Sequence, residues 1–368
     1  MWHKYNNYEL KSDIGKKMCK IPFITILYAH SYMKTKGVYM NKLTKAGLTA
    51  LAGSLTAISA NAADFGVSGS ANMTYVSDTG VTGNPYGLDS RLTFSTSGET
   101  EGGLGVSYYT TMESHYGSSQ YSGELAVDFG DLGKLALQQG VGNAGIDQID
   151  DETPKAYEEV WDGLTATKGL VNTGGTNVFK YTNSVGGVGV NVAARKGSDS
   201  GNAEGDNSNN GEGTGYSFAL TAGGDTLGVD GLNAGIGYGH VEAGEVKVVA
   251  RGDLKDTEYY AAYAKYAIGP VTVGYQRNEV TKVASNVQSE MMSIAFNVND
   301  NLAISYGEIE NDHDGAAAAT VTEEADGIGL SYTMGGMTIG AQSNSADSAN
   351  GVANATDDHT EVRLSFSF

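Results

Sequence analysis

A single cysteine, Cys19, occurs in 368 residues, so no intrachain disulfide and no cluster of cysteine metal ligands holds this fold. Proline is nearly as scarce, at four residues, which leaves long stretches of backbone free to enter hydrogen-bonded ladders. After residue 63 no run reaches the 18 or so apolar residues that a spanning helix requires, so any passage through a membrane falls to strands. Basic residues are also few: 23 Lys and Arg stand against 43 Asp and Glu, a balance that repels phosphate backbones and argues against a nucleic-acid partner. Catalytic patterns are missing as well. There is no H-E-x-x-H and no G-x-S-x-G, and His240, His313 and His359 are scattered. Gly235-Ile236-Gly237-Tyr238-Gly239 imitates a nucleotide loop, but it falls mid-strand with no helix following. No cofactor is expected.

What the chain has is glycine (52) and tyrosine (22), with a mean hydropathy of −0.26: polar on average, yet rich in aromatics. From Met40 it reads Met-Asn-Lys-Leu-Thr-Lys, then an apolar stretch, then Ala60-Asn61-Ala62, the order of a secretory signal with a small-residue cleavage site. Residues 40–62 are therefore expected to be a signal peptide and 63–368 the mature domain. Residues 1–39, which have no role in that arrangement, read as a mis-assigned translation start. The first 62 residues carry nine lysines and two acids, which leaves 14 basic and 41 acidic residues and a mature charge of −27.

Along the mature part, apolar residues alternate with small or polar ones, the pattern of strands with one apolar and one wet face. Phe65, Val67, Ala71, Met73 and Tyr75 alternate with Gly66, Ser68, Ser70, Asn72 and Thr74; near the end, Val362, Leu364, Phe366 and Phe368 alternate with Arg363, Ser365 and Ser367. Sixteen such segments occur. Their connections sort into two classes: short turns such as Gly98–Gly103, Gly130–Gly133, Gly269-Pro270 and Gly335-Gly336, and long polar loops such as Lys196–Gly213, Val241–Lys255 and Glu308–Asp326. Short turns at one rim and long loops at the other predict an all-β, transmembrane antiparallel barrel with both termini at the short-turn, periplasmic rim. Tyr75, Tyr108, Tyr181, Tyr216, Tyr238, Tyr266, Tyr275, Tyr306 and Tyr332 fall in outward register, where interface girdles place such rings.

The signal peptide, the Asp64–Tyr75 segment, the hairpin from Val127 to Leu135 (Val-Asp-Phe-Gly-Asp-Leu-Gly-Lys-Leu) and the closing Val-Arg-Leu-Ser-Phe-Ser-Phe of 362–368 together resemble the general porins of Gram-negative bacteria. The resemblance implies an outer-membrane, sixteen-stranded barrel that assembles as a homotrimer among lipid and lipopolysaccharide. It also implies that the terminal Phe368 is a signal for the outer-membrane assembly machinery, and that a long third loop folds into the lumen. Gly140–Thr176 holds that place and contains Asp147, Asp150, Asp151, Glu152, Glu158, Glu159 and Asp162. The opposite wall in such proteins is basic, and Arg91, Lys180, Arg195, Lys265 and Arg363 occupy polar-facing positions here. Opposed charges across a narrow aqueous passage orient polar solutes and disfavour apolar ones. The competing reading makes the acidic run a solvated loop and each basic residue a local ion-pair partner. Trp161 is placed to anchor the loop.

Two acidic runs, Asp206 to Gly211 and Glu310 to Gly315, begin like calcium loops but lack the closing Glu, having Ser217 and Val321 there; they read as surface-loop solvation with at most weak divalent binding. The expected function is passive diffusion of small hydrophilic solutes and ions, with cation preference and no enzymatic activity. A substrate-selective channel would need a lumenal aromatic track, for which Tyr109, Tyr259 and Tyr263 are too few. A non-conducting adhesin or structural barrel would need a plugged lumen.

Overall fold

A computed structural model describes residues 64–79, 83–114, 119–164, 173, 177–196, 214–242, 256–281, 285–315 and 321–368. The predicted signal peptide, the 39 residues before it, the run Asp206 to Gly211 and most of the two loops after residues 196 and 242 lie outside these.

Sixteen strands form: β1 (Asp64–Asp78), β2 (Tyr86–Glu99), β3 (Gly105–Glu113), β4 (Ser119–Asp128), β5 (Lys134–Gln139), β6 (Val178–Val185), β7 (Val188–Arg195) and β8 (Gly215–Gly223), then β9 (Leu232–Val241), β10 (Thr257–Ile268), β11 (Val271–Thr281), β12 (Ser285–Asn297), β13 (Leu302–Gly315), β14 (Glu323–Met334), β15 (Met337–Asp347) and β16 (Thr356–Ser367). Each pairs with its neighbours, and β1 pairs antiparallel with β16, so the sheet is a closed barrel without edges. The last residue completes this seam. The Gly69 N–H donates to the Phe368 carbonyl at 2.9 Å, and the Phe368 N–H to that of Gly69 at 3.0 Å.

Period-two alternation sorts the side chains. On β10, Tyr260, Ala262, Ala264 and Tyr266 face outward, while Tyr259, Ala261, Tyr263 and Lys265 face the lumen beside Gly239, Gly237, Gly235 and Asn233 of β9. The outward face is apolar and bare, with Leu88 81% exposed, as a surface solvated by lipid must be. A tyrosine belt marks where that face meets water. Tyr75 packs on Tyr86 with ring centres 5.7 Å apart, and Tyr238 on Tyr260 at 5.2 Å. The hydroxyls of Tyr238 and Tyr260 both donate to Glu258, and that of Tyr306 donates to Glu308 at 2.7 Å.

The expected long loop Glu308–Asp326 is a correction. β13 continues to Gly315 and β14 begins at Glu323, because alternation persists past the tyrosines: Ile309, Asn311 and His313 still face inward while Glu308, Glu310, Asp312 and Asp314 face water. Outside lipid, a strand needs no apolar outer face, and hydropathy stops marking it. The calcium-like run Glu310 to Gly315 is thus strand, its carboxylates spread along one face rather than turned around a centre.

Candidate functional site

The segment after β5 enters the barrel and follows the inner wall from β7 to β16. Its first anchor is a 3-10 turn at Gly145–Ile149. The Asn191 amide of β7 receives the Gly145 N–H at 2.8 Å, and Ser217 Oγ of β8 receives that of Ile146 at 3.3 Å. Gly145 has φ +64°, and a Cβ there would collide with Ser217 and Ala193, so this position admits only glycine. Ile146 and Ile149 are fully buried against Ala219, Ala261 and Tyr263.

Next the chain crosses β11. Gln276, itself buried, donates to the carbonyls of Ile149 and Asp150 at 2.9 Å each and accepts the Glu152 N–H at 2.7 Å. The Pro154 carbonyl accepts from Ser293 of β12 at 2.6 Å, and the Ala156 N–H donates to Ser305 of β13 at 2.9 Å. The Tyr157 ring lies against Gly340 of β15, and its hydroxyl donates to Glu361 of β16 at 2.5 Å. Val160, Trp161 and Leu164 form an apolar cluster with Met291, Ile309, Ala325 and Ala346, so the loop has a core of its own against the wall. Asn344 and Gln342 of β15 hold Asp162 through its carbonyl and its carboxylate, each at 2.9 Å.

The seven expected carboxylates are all in this segment, in unequal settings. Asp147 is buried and accepts from the N–H and hydroxyl of Thr173. Asp150 is pushed up to about 8, first by burial and then by the neighbouring charges of Asp151 and Asp147. Burial, with Asp162 nearby, also raises Glu158 against the pull of Arg363. Tyr157 is held well above the ordinary phenol value by burial and by its bond to Glu361. Lys155, which the sequence reading passed over, bridges Asp151 at 3.2 Å and the buried Glu159.

The basic residues do not form one opposing wall. Lys265 and Arg363 stand on the strands the loop covers and pair with it directly, Lys265 with Glu152 and Arg363 with Glu158 at 3.5 Å; Arg363 also reaches Glu361 of its own strand at 2.9 Å. Arg195 sits at the end of β7 opposite Gly215, toward the long-loop rim. Of the five expected basic residues, Arg91 and Lys180 lie on the other side, with Lys134 of β5 beside Lys180. Arg91 pairs with Glu113 at 3.0 Å, and Lys180 shares Glu124 with Lys134 at 3.7 and 3.3 Å. Lys134, Glu124 and Glu361 were readable as inward positions by alternation with Leu135, Leu125 and Val362, but only pairing across strands shows what they meet.

The sequence matches the family model described as Gram-negative porin over residues 47–368. The chain belongs to the Gram-negative porins. This porin is accordingly an outer-membrane channel for small solutes. Its match begins inside the predicted signal peptide. Among solved structures, it resembles the OmpF of Salmonella typhi in complex with daunomycin (12% identity, TM-score 0.61, covering 83% of this chain and 97% of that one). It also resembles the trimer form of OmpT from Vibrio cholerae (12%, 0.58, 84% and 100%) and an anion-selective porin from Comamonas acidovorans (14%, 0.57, 83% and 100%). At such identities the likeness is one of fold. Among curated protein sequences there is no match.

Proposed function

We propose that this porin is a general diffusion channel for small hydrophilic solutes that prefers cations. One observation supports the sign: the docked loop brings seven carboxylates into the lumen, where among the described residues Lys155, Lys265 and Arg363 pair with Asp151, Glu159, Glu152 and Glu158. A low-dielectric wall around a narrow passage focuses that excess charge on passing ions. The anion-selective porin of similar fold makes the sign a matter of side chains, not architecture. Tyr259 and Tyr263 pack under the loop on Ile146 and Ile149, which removes them from any solute track and favours general diffusion over a substrate-selective channel. No enzymatic role is proposed.

The working unit is a homotrimer exported through the periplasm after cleavage near Ala62, with Phe368 read by the assembly machinery and the rim set among lipopolysaccharide. Glu308, Glu310, Asp312 and Asp314 give that rim weak affinity for divalent cations such as calcium. Reversal potentials in planar bilayers under a salt gradient test the sign. Cation preference is expected, and it should fall toward unity when Asp147, Asp151, Glu152 and Glu158 are amidated together. Anion preference in the wild type would refute it, and absence of conductance in correctly folded protein would refute free diffusion. N-terminal sequencing of the membrane-inserted protein tests the processing site.

A further inference from the structure

Between its two apolar anchors the loop crosses wall positions that carry no side chain. Ile146 and Ile149 hold one end in a buried cluster with Tyr263, and Val160 and Trp161 hold the other in a cluster with Met291. The stretch from Pro154 to Tyr157 lies between them. There the Pro154 ring rests on Gly274 of β11 and the Tyr157 ring on Gly340 of β15, so closely that a Cβ on either glycine would fall among the ring atoms. Both glycines sit in regular ladders, Gly274 opposite Lys265 and Gly340 opposite Arg363, and neither takes a positive φ. The strands themselves therefore do not require glycine at these places, and glycine inside a strand weakens it. What requires it is the loop.

The same stretch is tied to the wall by polar bonds. The Pro154 carbonyl accepts from Ser293 at 2.6 Å, the Ala156 N–H donates to Ser305 at 2.9 Å, and the Tyr157 hydroxyl donates to Glu361 at 2.5 Å. Lys155, between the two rings, is exposed to the lumen. Residues 154–157 thus form a sill with the wall below and water above. A methyl group added beneath either ring cannot sink into the wall, whose backbone is held by ladders on both sides. The ring must lift toward the barrel axis, by on the order of 1 Å, before carbon atoms regain their ordinary separation. The anchored ends keep the loop from leaving.

We propose that Gly274 and Gly340 set the bore of this channel: the side chains they lack fix how low the sill lies, and with it the largest solute that passes. The inference rests on the general-diffusion reading and adds to it the wall residues that determine size selection. It is independent of the sign of the lumen, because neither glycine carries charge.

Swelling of proteoliposomes in arabinose and in raffinose, both uncharged, reads the bore apart from charge. Gly340→Ala and Gly274→Ala should each lower the raffinose-to-arabinose rate ratio by about threefold or more, since a narrower passage weighs most on the larger sugar. Each effect should vanish when the facing ring is absent. Gly340→Ala should change nothing in a Tyr157→Ala protein, nor Gly274→Ala in a Pro154→Ala protein, while the exchanged combinations keep the full decrease. A general weakening of the barrel would act in every background alike. If one alanine variant does not assemble, the other pair carries the test. An unchanged or raised ratio in a glycine variant that assembles, or a decrease that persists without the facing ring, overturns the proposal and leaves the diffusion reading intact. A parent protein that admits neither sugar refutes the diffusion reading and this proposal with it.

Discussion

The two halves of the lumen use the same alternation for different ends. From β7 to β16 small inward residues such as Ala193, Ala219, Gly237, Ala261, Gly274 and Gly340 give the loop room to lie on the wall, and larger ones among them, Tyr263, Gln276, Met291 and Ile309, pack on or bond to it. From β1 to β6 the inward residues are polar, as at Asn72, Arg91, Thr93, Tyr109, Lys134 and Lys180, and they satisfy one another across strands: Asn72 to Asp89 at 2.7 Å, Thr93 to Thr111 at 2.9 Å.

Breaking the covered half should have the largest effect. Trp161→Ala empties the apolar cluster of the loop, at a cost of about 3–5 kcal/mol to docking; single-channel conductance should rise severalfold and become noisy, while the heat-modifiable gel shift of the barrel persists. Titration of Asp150 sharpens the same half. Its folded value of about 8 lies above that of an unfolded aspartate, so its contribution to docking is complete below about pH 4 and is lost as the pH rises through 8. Cation preference should therefore grow from about pH 6 to pH 9 as the charge appears, and Asp150→Asn should remove that increment. On the uncovered half, Lys134→Gln with Lys180→Gln leaves Glu124 unanswered and should raise the cation-to-anion permeability ratio about twofold, equivalent to roughly 0.4 kcal/mol. The smallest effect belongs to Thr93→Val, which loses one solvated bond: stability should shift by about 0.5–1.5 kcal/mol with conductance unchanged.

Much of this barrel was legible in the sequence because lipid imposes a strict rule on the outward face. All sixteen strands were recognisable where they cross the membrane, and their ends were lost where water removed the rule, as on β13 beyond Tyr306. The loop could be placed in the lumen through the resemblance to porins, with its length and acidity marking the segment, and Trp161 by its isolation. The partners of Lys265 and Arg363 could not, since which strands the loop covers depends on small residues spread over 150 positions of chain, each unremarkable alone.

The ladder between Ser70 and Ser367, residues almost 300 positions apart, also bears on how the molecule comes into being. Pairing across so long a chain must await nearly every other ladder, which places this fold among the slow ones. Until the final residue has left the ribosome and crossed the inner membrane, β1 has no second neighbour, and both flanks of the growing sheet are open to another chain. A long exposure of unpaired strand edges before closure follows from the circular topology itself, whatever the pore transports.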